Sequence, residues 1–168
     1  MDNSLSFIRL NSTNLDLCKV FELMMYDYID EMNEHSHRPL PKEFQKKWID
    51  SIISLLNSVD RYLEICIVND KPVGFLYGKI DRYGDKGYIR PGYAYIMEFY
   101  VRPEYRRKGF ATQMFGRLQS LFKKDGAKIM YLTADPITGR PFWERMGFIE
   151  TDEMNPDNQM IIFEKEID

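Results

Sequence analysis

Residues 96–112, Ile-Met-Glu-Phe-Tyr-Val-Arg-Pro-Glu-Tyr-Arg-Arg-Lys-Gly-Phe-Ala-Thr, constrain the fold most, because they specify a strand, a turn and a helix in direct succession. Residues 96–101 are apolar and aromatic except for Glu98, as suits a strand covered on both faces of a sheet. Pro103 then ends the ladder, and it also pushes Arg102 out of the helical region. From Phe110 onward Met114, Leu118, Leu121 and Phe122 recur at helical spacing. The helix therefore opens just after Arg106, Arg107, Lys108 and Gly109. A helix N-terminus carries unpaired N–H groups and partial positive charge, and Gly109 and Ala111 are small enough for a ligand to approach the backbone. Three cations lead into it, and the pattern reads as a pyrophosphate cradle. It is neither a P-loop, since no Gly-Lys-Ser/Thr follows, nor the triple-glycine dinucleotide turn.

Arg-x-x-Gly-x-Ala at 106–111, directly after Phe-Tyr-Val-Arg-Pro-Glu-Tyr, resembles motif A of the GCN5-related N-acetyltransferases, which move acetyl groups from acetyl coenzyme A to amines. Phe142-Trp143-Glu144-Arg145-Met146-Gly147-Phe148 is similar to the family's second landmark, an aromatic pair followed three residues later by Gly-Phe. The resemblance implies an α/β (α+β) acyl-CoA N-acyltransferase fold, with a mixed central sheet of about six to seven strands flanked by about four helices.

The pattern along the chain is compatible with that fold. A short strand is expected at 6–10, and a helix follows on the stripe Leu17, Phe21, Met24, Tyr28 and Met32, capped by Asn14 or Thr13. Residues 34–41 hold two prolines and read as a loop, and Phe44, Trp48, Ile52, Leu55, Leu56 and Val59 mark a second helix. Strands are expected at 62–68 and 73–80 around the turn 69–72, with Gly84, Gly87 and Gly92 in the next connection. The third helix runs to about Lys124 and stops at Asp125-Gly126. A buried strand at 129–134, a short helix at 139–146 and closing strands at 148–151 and 160–165 complete the chain.

Composition sets the remaining bounds. At 168 residues the chain reads as one N-acetyltransferase domain, 1–168, able to bury about 70% of its unfolded surface. A net charge of −3 gives no footprint for nucleic acid, and no apolar run reaches membrane-spanning length. Met1-Asp2-Asn3-Ser4 carries no signal-like pattern, so a cytoplasmic location is expected. Cys18 and Cys66 lie far apart and read as small buried hydrophobes; His35 and His37 find no partner ligands, so no metal is expected. A homodimer is left open.

By resemblance, the N–H groups of Arg107, Lys108, Gly109, Phe110, Ala111 and Thr112 surround the pyrophosphate of acetyl-CoA, and Arg106 adds charge. Phe99, Tyr100 and Val101 offer their backbone to the pantetheine arm, with one N–H toward the thioester oxygen. Glu98 is the candidate general base, since it is the one carboxylate inside this strand and burial would raise its pKa toward a useful value. The other reading is a structural carboxylate tied to a backbone N–H or an arginine, and a bulge in the strand would decide which way Glu98 faces.

Two departures from the family pattern stand out. The fourth-helix position where a tyrosine commonly sits beside the sulfur is Trp143, whose indole is too weak an acid to protonate a thiolate, and Asp135-Pro136 replaces the usual asparagine. Tyr93, Tyr95, Tyr100 or solvent would have to supply that proton. Asp27, Asp30, Glu31 and Glu34 line one flank of the first helix, either as a solvated face or as an attraction for a cationic amine such as a polyamine, an aminoglycoside or a lysine side chain. Tyr26, Tyr28, Trp48 and Tyr83 could supply aromatic walls for the acceptor, though helical spacing favours Tyr28 and Trp48 as core residues. With no cysteine near either landmark, direct attack on acetyl-CoA by an amine in a ternary complex is the expected route. The alternatives are a non-catalytic acyl-CoA sensor or partner-binding module of the same fold, and an enzyme for a larger acyl group.

Overall fold

The computed structural model describes residues 4–168. The chain opens with strand β1 (Ser6–Arg9) and helix α1 (Leu15–Glu34). Asn14 caps that helix, its side-chain oxygen accepting from the Leu17 N–H at 3.1 Å. Cys18, Phe21, Met24, Met25 and Ile29 form the buried stripe of α1. Helix α2 (Lys42–Ser54) follows Pro41 and buries Gln45, Ile49 and Ile52.

Here the expected helix is too long, because Val59 lies beyond its end and is 86% exposed. The Leu55 and Leu56 N–H groups reach back only three residues, to the carbonyls of Ile52 and Ile53, which tightens and ends the helix. Asp60, at φ 66°, then turns the chain into strand β2 (Arg61–Val68).

Strand β3 (Lys71–Ile80) returns after a turn of only two residues, Asn69 and Asp70, both at positive φ. Val68 pairs with Lys71, so the hairpin is tighter than the expected four-residue turn and Pro72 lies within the strand, beside a register shift at Cys66/Ile67. Next come β4 (Ala94–Val101), a 3-10 turn (Pro103–Tyr105), α3 (Phe110–Lys124), β5 (Ile129–Thr133), α4 (Arg140–Arg145), β6 (Ile149–Asn155) and β7 (Met160–Glu166). Strand β6 is longer than its apolar pattern indicates, since Met154 and Asn155 resume the pairing, with Ile161 and Met160, past a register shift between Glu150 and Met154.

Among the described residues seven strands form one sheet in the order β1-β2-β3-β4-β5-β7-β6, with β4 and β5 its parallel pair and the others antiparallel. Two apolar layers cover it. Helices α1 and α2 pack Phe21, Met24, Met25, Ile29, Ile49 and Ile52 against Leu63, Ile65, Phe75, Tyr77 and Tyr100. On the opposite face α3 and α4 pack Phe110, Met114, Phe115, Leu118, Phe122 and Trp143 against Leu76, Ile96, Val101, Met130 and Leu132. Cys18 and Cys66 are both buried free thiols. No helix among the described residues is long and apolar enough to cross a membrane.

Candidate active site

Strand β4 pairs with β5 only at Ala94↔Met130 and Tyr95↔Tyr131, whereas its pairing with β3 continues to Gly74↔Val101. The two parallel strands therefore part after Tyr95, and the edge of β4 from Ile96 onward borders a gap instead of a neighbour. At the same point the β3–β4 register shifts: Gly78 pairs with Ile96 and Tyr77 with Glu98, which leaves Met97 as an extra residue. This is a β-bulge, and it bends the strand that carries it.

The bulge settles the direction of Glu98. Ala94 and Ile96 belong to the layer under α3, and strict alternation would send residue 98 there too. Instead Met97 packs into the α1 layer and Glu98 follows it, its Oε2 accepting from the Tyr28 hydroxyl of α1 at 2.6 Å. Alternation resumes beyond, with Phe99 toward α4 and Tyr100 toward α1. Burial pushes the Glu98 carboxyl up to about 8, and the Tyr28 hydrogen bond opposes that rise.

The gap thus has two unlike walls. On the α4 side Phe99 lies 5.8 Å from Phe142 and 5.1 Å from Trp143, ring centre to ring centre. On the α1 side stand Glu98, Tyr28 and Tyr95, the last stacked on Tyr131 at 4.6 Å. Burial raises the Tyr95 phenol to about 12, with Glu98 adding to the rise and a Thr133 hydrogen bond opposing it. Tyr100 is likewise pushed up to about 12, by burial first and then by Glu31 and Asp27.

At the end of β4 the chain reaches α3 through two left-handed residues, Arg107 at φ 59° and Gly109 at φ 81°. Phe110, Ala111 and Thr112 supply the first-turn N–H groups that a helix cannot pair within itself, and Gly109 gives them no side-chain cap. A side chain built on Gly109 would meet nothing within 4 Å, so the chain is open to solvent on that side of the turn into α3. The uncapped first turn and the free edge of β4 suit an extended ligand ending in a pyrophosphate. The Phe110 ring itself is buried, which leaves its N–H as the group available here.

Three side chains depart from expectation. Arg106 does not lean over the cradle: its guanidinium grips Glu31 of α1 at 2.7 and 2.9 Å and donates through Nε to the Val101 carbonyl at 2.8 Å. Trp143 is only 8% exposed, enclosed by Phe99, Phe115, Phe142 and Phe148, so its indole belongs to the apolar layer more than to the gap. Tyr28 is core in its ring but not in its hydroxyl, which is the partner of Glu98. A tyrosine in an apolar stripe facing a strand with a lone carboxylate was the available signal, because a buried phenol needs a polar partner.

Asp135, at the position where the resemblance leads one to expect asparagine, organises the turn into α4. Its Oδ1 accepts from the N–H groups of Ile137 and Thr138 at 2.9 and 2.7 Å. Burial pushes this carboxyl up, but those hydrogen bonds and nearby His35 hold it below the ordinary value. His35 and His37 are exposed, and among the described residues no group of three His, Cys, Asp or Glu is arranged to hold a metal ion.

Residues 23–148 match the model of the acetyltransferase (GNAT) family. The chain belongs to this family. No curated protein sequence matches it. Among solved structures, it is similar to the PaiA N-acetyltransferase of Thermoplasma acidophilum in complex with coenzyme A, at 18% identity over 97% of this chain and 99% of that one, TM-score 0.68. A predicted acetyltransferase with acetyl-CoA from Clostridium acetobutylicum is 19% identical over 89% and 93% of the two chains, TM-score 0.67. An aminoglycoside 6'-acetyltransferase type Ii is 15% identical over 97% of each, TM-score 0.69. At these identities the likenesses establish the acyl-CoA N-acyltransferase fold. With the family match, the chain is an acetyl-CoA-dependent acetyltransferase whose second substrate is an amine acceptor.

Proposed function

We propose that residues 1–168 form a single N-acetyltransferase domain that moves acetyl from acetyl-CoA to a primary amine by direct attack in a ternary complex. The observation that carries this reading is the Glu98 carboxyl, turned by the bulge toward α1 at the point where β4 and β5 part, with an ionisation near neutrality. The bound co-substrate supplies a thioester carbonyl. The N–H groups of Arg107, Lys108, Gly109, Phe110, Ala111 and Thr112 would hold its pyrophosphate, and the β4 edge at Phe99, Tyr100 and Val101 would pair with the pantetheine arm. An N–H of that edge would face the thioester oxygen and stabilise negative charge on it.

Glu98 would take the proton from the acceptor's ammonium, leaving the nitrogen lone pair free to attack. Tyr95 and Tyr100 are poor proton donors at about 12, and Trp143 is enclosed, so solvent in the open gap is the favoured source of the thiolate's proton. The acceptor is a small cationic amine or a protein amine. Asp27, Asp30 and Glu34 remain to attract it, while Glu31 is engaged by Arg106. A cytoplasmic setting suits this reading.

Calorimetry with acetyl-CoA, followed by a thiol-release screen over polyamines, aminoglycosides and lysine peptides, tests the proposal. Binding with turnover on one amine class, lost in Glu98→Gln while binding persists, is the expected result. Binding without turnover across the screen would favour an acyl-CoA sensor, and absence of binding would overturn the assignment of the cradle.

A further inference from the structure

The Glu98 carboxyl is approached from several elements, and each presents a tyrosine or a charge. Tyr28 reaches it from α1. Tyr77, its ladder partner on β3, faces it with a hydroxyl that receives a 2.6 Å hydrogen bond from Arg61 of β2, so that cation is engaged elsewhere. Tyr95 approaches from its own strand, while Asp135, beside His35, acts on Tyr28 from the turn after β5. The Tyr28 hydroxyl makes the hydrogen bond to this carboxyl.

Tyr28 is held there by rigid parts. Its ring meets Phe75 edge-on at 5.8 Å and Tyr100 at 5.7 Å, both buried side chains of the sheet. Glu31, three residues further along the same helix, grips Arg106. Helix α1 is therefore tied to the β4–α3 segment twice within one turn, at the carboxyl and at the entrance to the cradle. Fixed supports of this kind hold a reacting group in one geometry.

We propose that Tyr28 is a positioning residue for the reaction, holding Oε2 of Glu98 so that Oε1 is the atom that takes the proton from the acceptor's ammonium. The proposal rests on the transferase reading above. In this step an N–H bond of the ammonium breaks, its electron pair stays on nitrogen, and the new bond is Oε1–H, which leaves Glu98 neutral. Tyr28 keeps its own proton throughout, because burial and the neighbouring carboxylate hold its phenol well above the ordinary value. A donor to the ionised carboxylate favours that form, so Tyr28 counters the effect of burial. Without the hydroxyl, Glu98 would hold its proton to higher pH, by about one unit for a hydrogen bond of ordinary strength to a charged group.

Carboxyl-labelled glutamate NMR tests this without any acceptor, with the Glu98 resonance identified by its loss in Glu98→Gln. In the intact protein its midpoint is expected at about 8. Tyr28→Phe keeps the ring and its packing, and should move the midpoint up by about one pH unit. Tyr26→Phe, on the same helix, should leave it in place. A midpoint that stays put or falls in Tyr28→Phe overturns the proposal.

The second readout is thiol release from acetyl-CoA with spermidine as the probe amine. The acid limb of kcat/KM should move upward in Tyr28→Phe, with the KM for acetyl-CoA unchanged and turnover at pH 7 reduced by roughly tenfold. A limb that does not move also overturns it. If the native protein releases no thiol with any amine in the wider screen, the transferase reading fails, while the NMR midpoint still decides whether Tyr28 controls this carboxyl.

Discussion

Met97 and Glu98 are adjacent in sequence, yet both side chains face α1. Neighbours in a regular strand point to opposite faces, so this pair marks the place where β4 gives up its ladder geometry. Pairing with β5 stops two residues earlier, at Tyr95. One extra residue thus turns the carboxyl toward α1 just beyond the point where β4 leaves β5. A bulge beside a functional group is a recurrent device for re-aiming a side chain.

The burial of Glu98 has a consequence for stability. Its folded-state pKa of about 8 lies above the ordinary value, so the stability this group contributes is fully present below about 4.5 and is lost as pH rises through about 8. Glu98→Gln, which carries no charge, should be more stable than the native protein by a few kcal/mol at pH 9 and nearly equal at pH 4 to 5. Urea denaturation at the two pH values measures the difference. An advantage that did not grow with pH would show the carboxylate to be well solvated.

Gly109 tests the cradle separately from the base. A side chain there meets nothing within 4 Å but is forced into the left-handed region at φ 81°, at a cost of about 1–2 kcal/mol. Gly109→Asp should therefore still fold, with a modestly lowered Tm. If the first-turn N–H groups of α3 hold the pyrophosphate as proposed, it should lose acetyl-CoA binding by at least about a hundredfold, since the new carboxylate repels an anion at that helix end. Retained binding would move the pyrophosphate elsewhere.

In the Arg106–Glu31 pair a single guanidinium nitrogen, Nη2, donates to both carboxylate oxygens, and the two side chains are 42% and 38% exposed, so solvent screens it. A double-mutant cycle with Arg106→Gln and Glu31→Gln should give a coupling of no more than about 1 kcal/mol. Arg106→Gln alone should weaken acetyl-CoA binding only a few-fold, because the guanidinium is directed at α1 and the Val101 carbonyl. A loss as large as that of Gly109→Asp would mean that Arg106 changes partner when the ligand binds.

Much of this was legible in the residues. The order of helices and strands follows from apolar periodicity, and Pro103 and Gly109 marked the turn into α3, because proline and glycine act on the backbone locally. The end of α2 was less legible: Leu55, Leu56 and Val59 continue a helical spacing that three-residue hydrogen bonds and Asp60 interrupt. The bulge at Met97 was not legible, since nothing in the side chains of 94–101 distinguishes an extra residue from a regular one, and the register is set across the ladder by β3. The polar partners of Tyr28 and Arg106 were not legible for a related reason. Those partners, Glu98 and Glu31, are 70 and 75 residues away in the chain, and only the packing of α1 on β4 brings them together.

Trp143 separates fold from chemistry at the position where the family commonly carries tyrosine. Its ring is packed edge-on between Phe115, Phe142, Phe148 and Phe99, with centroid separations of 5.9, 4.9, 5.4 and 5.1 Å. Trp143→Ala should cost about 3–5 kcal/mol of stability. Trp143→Tyr is more informative. If the substituted ring keeps the orientation of the indole, its hydroxyl is carried into the aromatic cluster and away from the gap, where a phenol without a partner is unfavourable. The expected outcome is a Tm several degrees lower with kcat unchanged, measured by thermal melting and by thiol release at pH 7. A gain in kcat would instead mean that the phenol reaches the leaving thiolate, and that proton delivery limits the native enzyme.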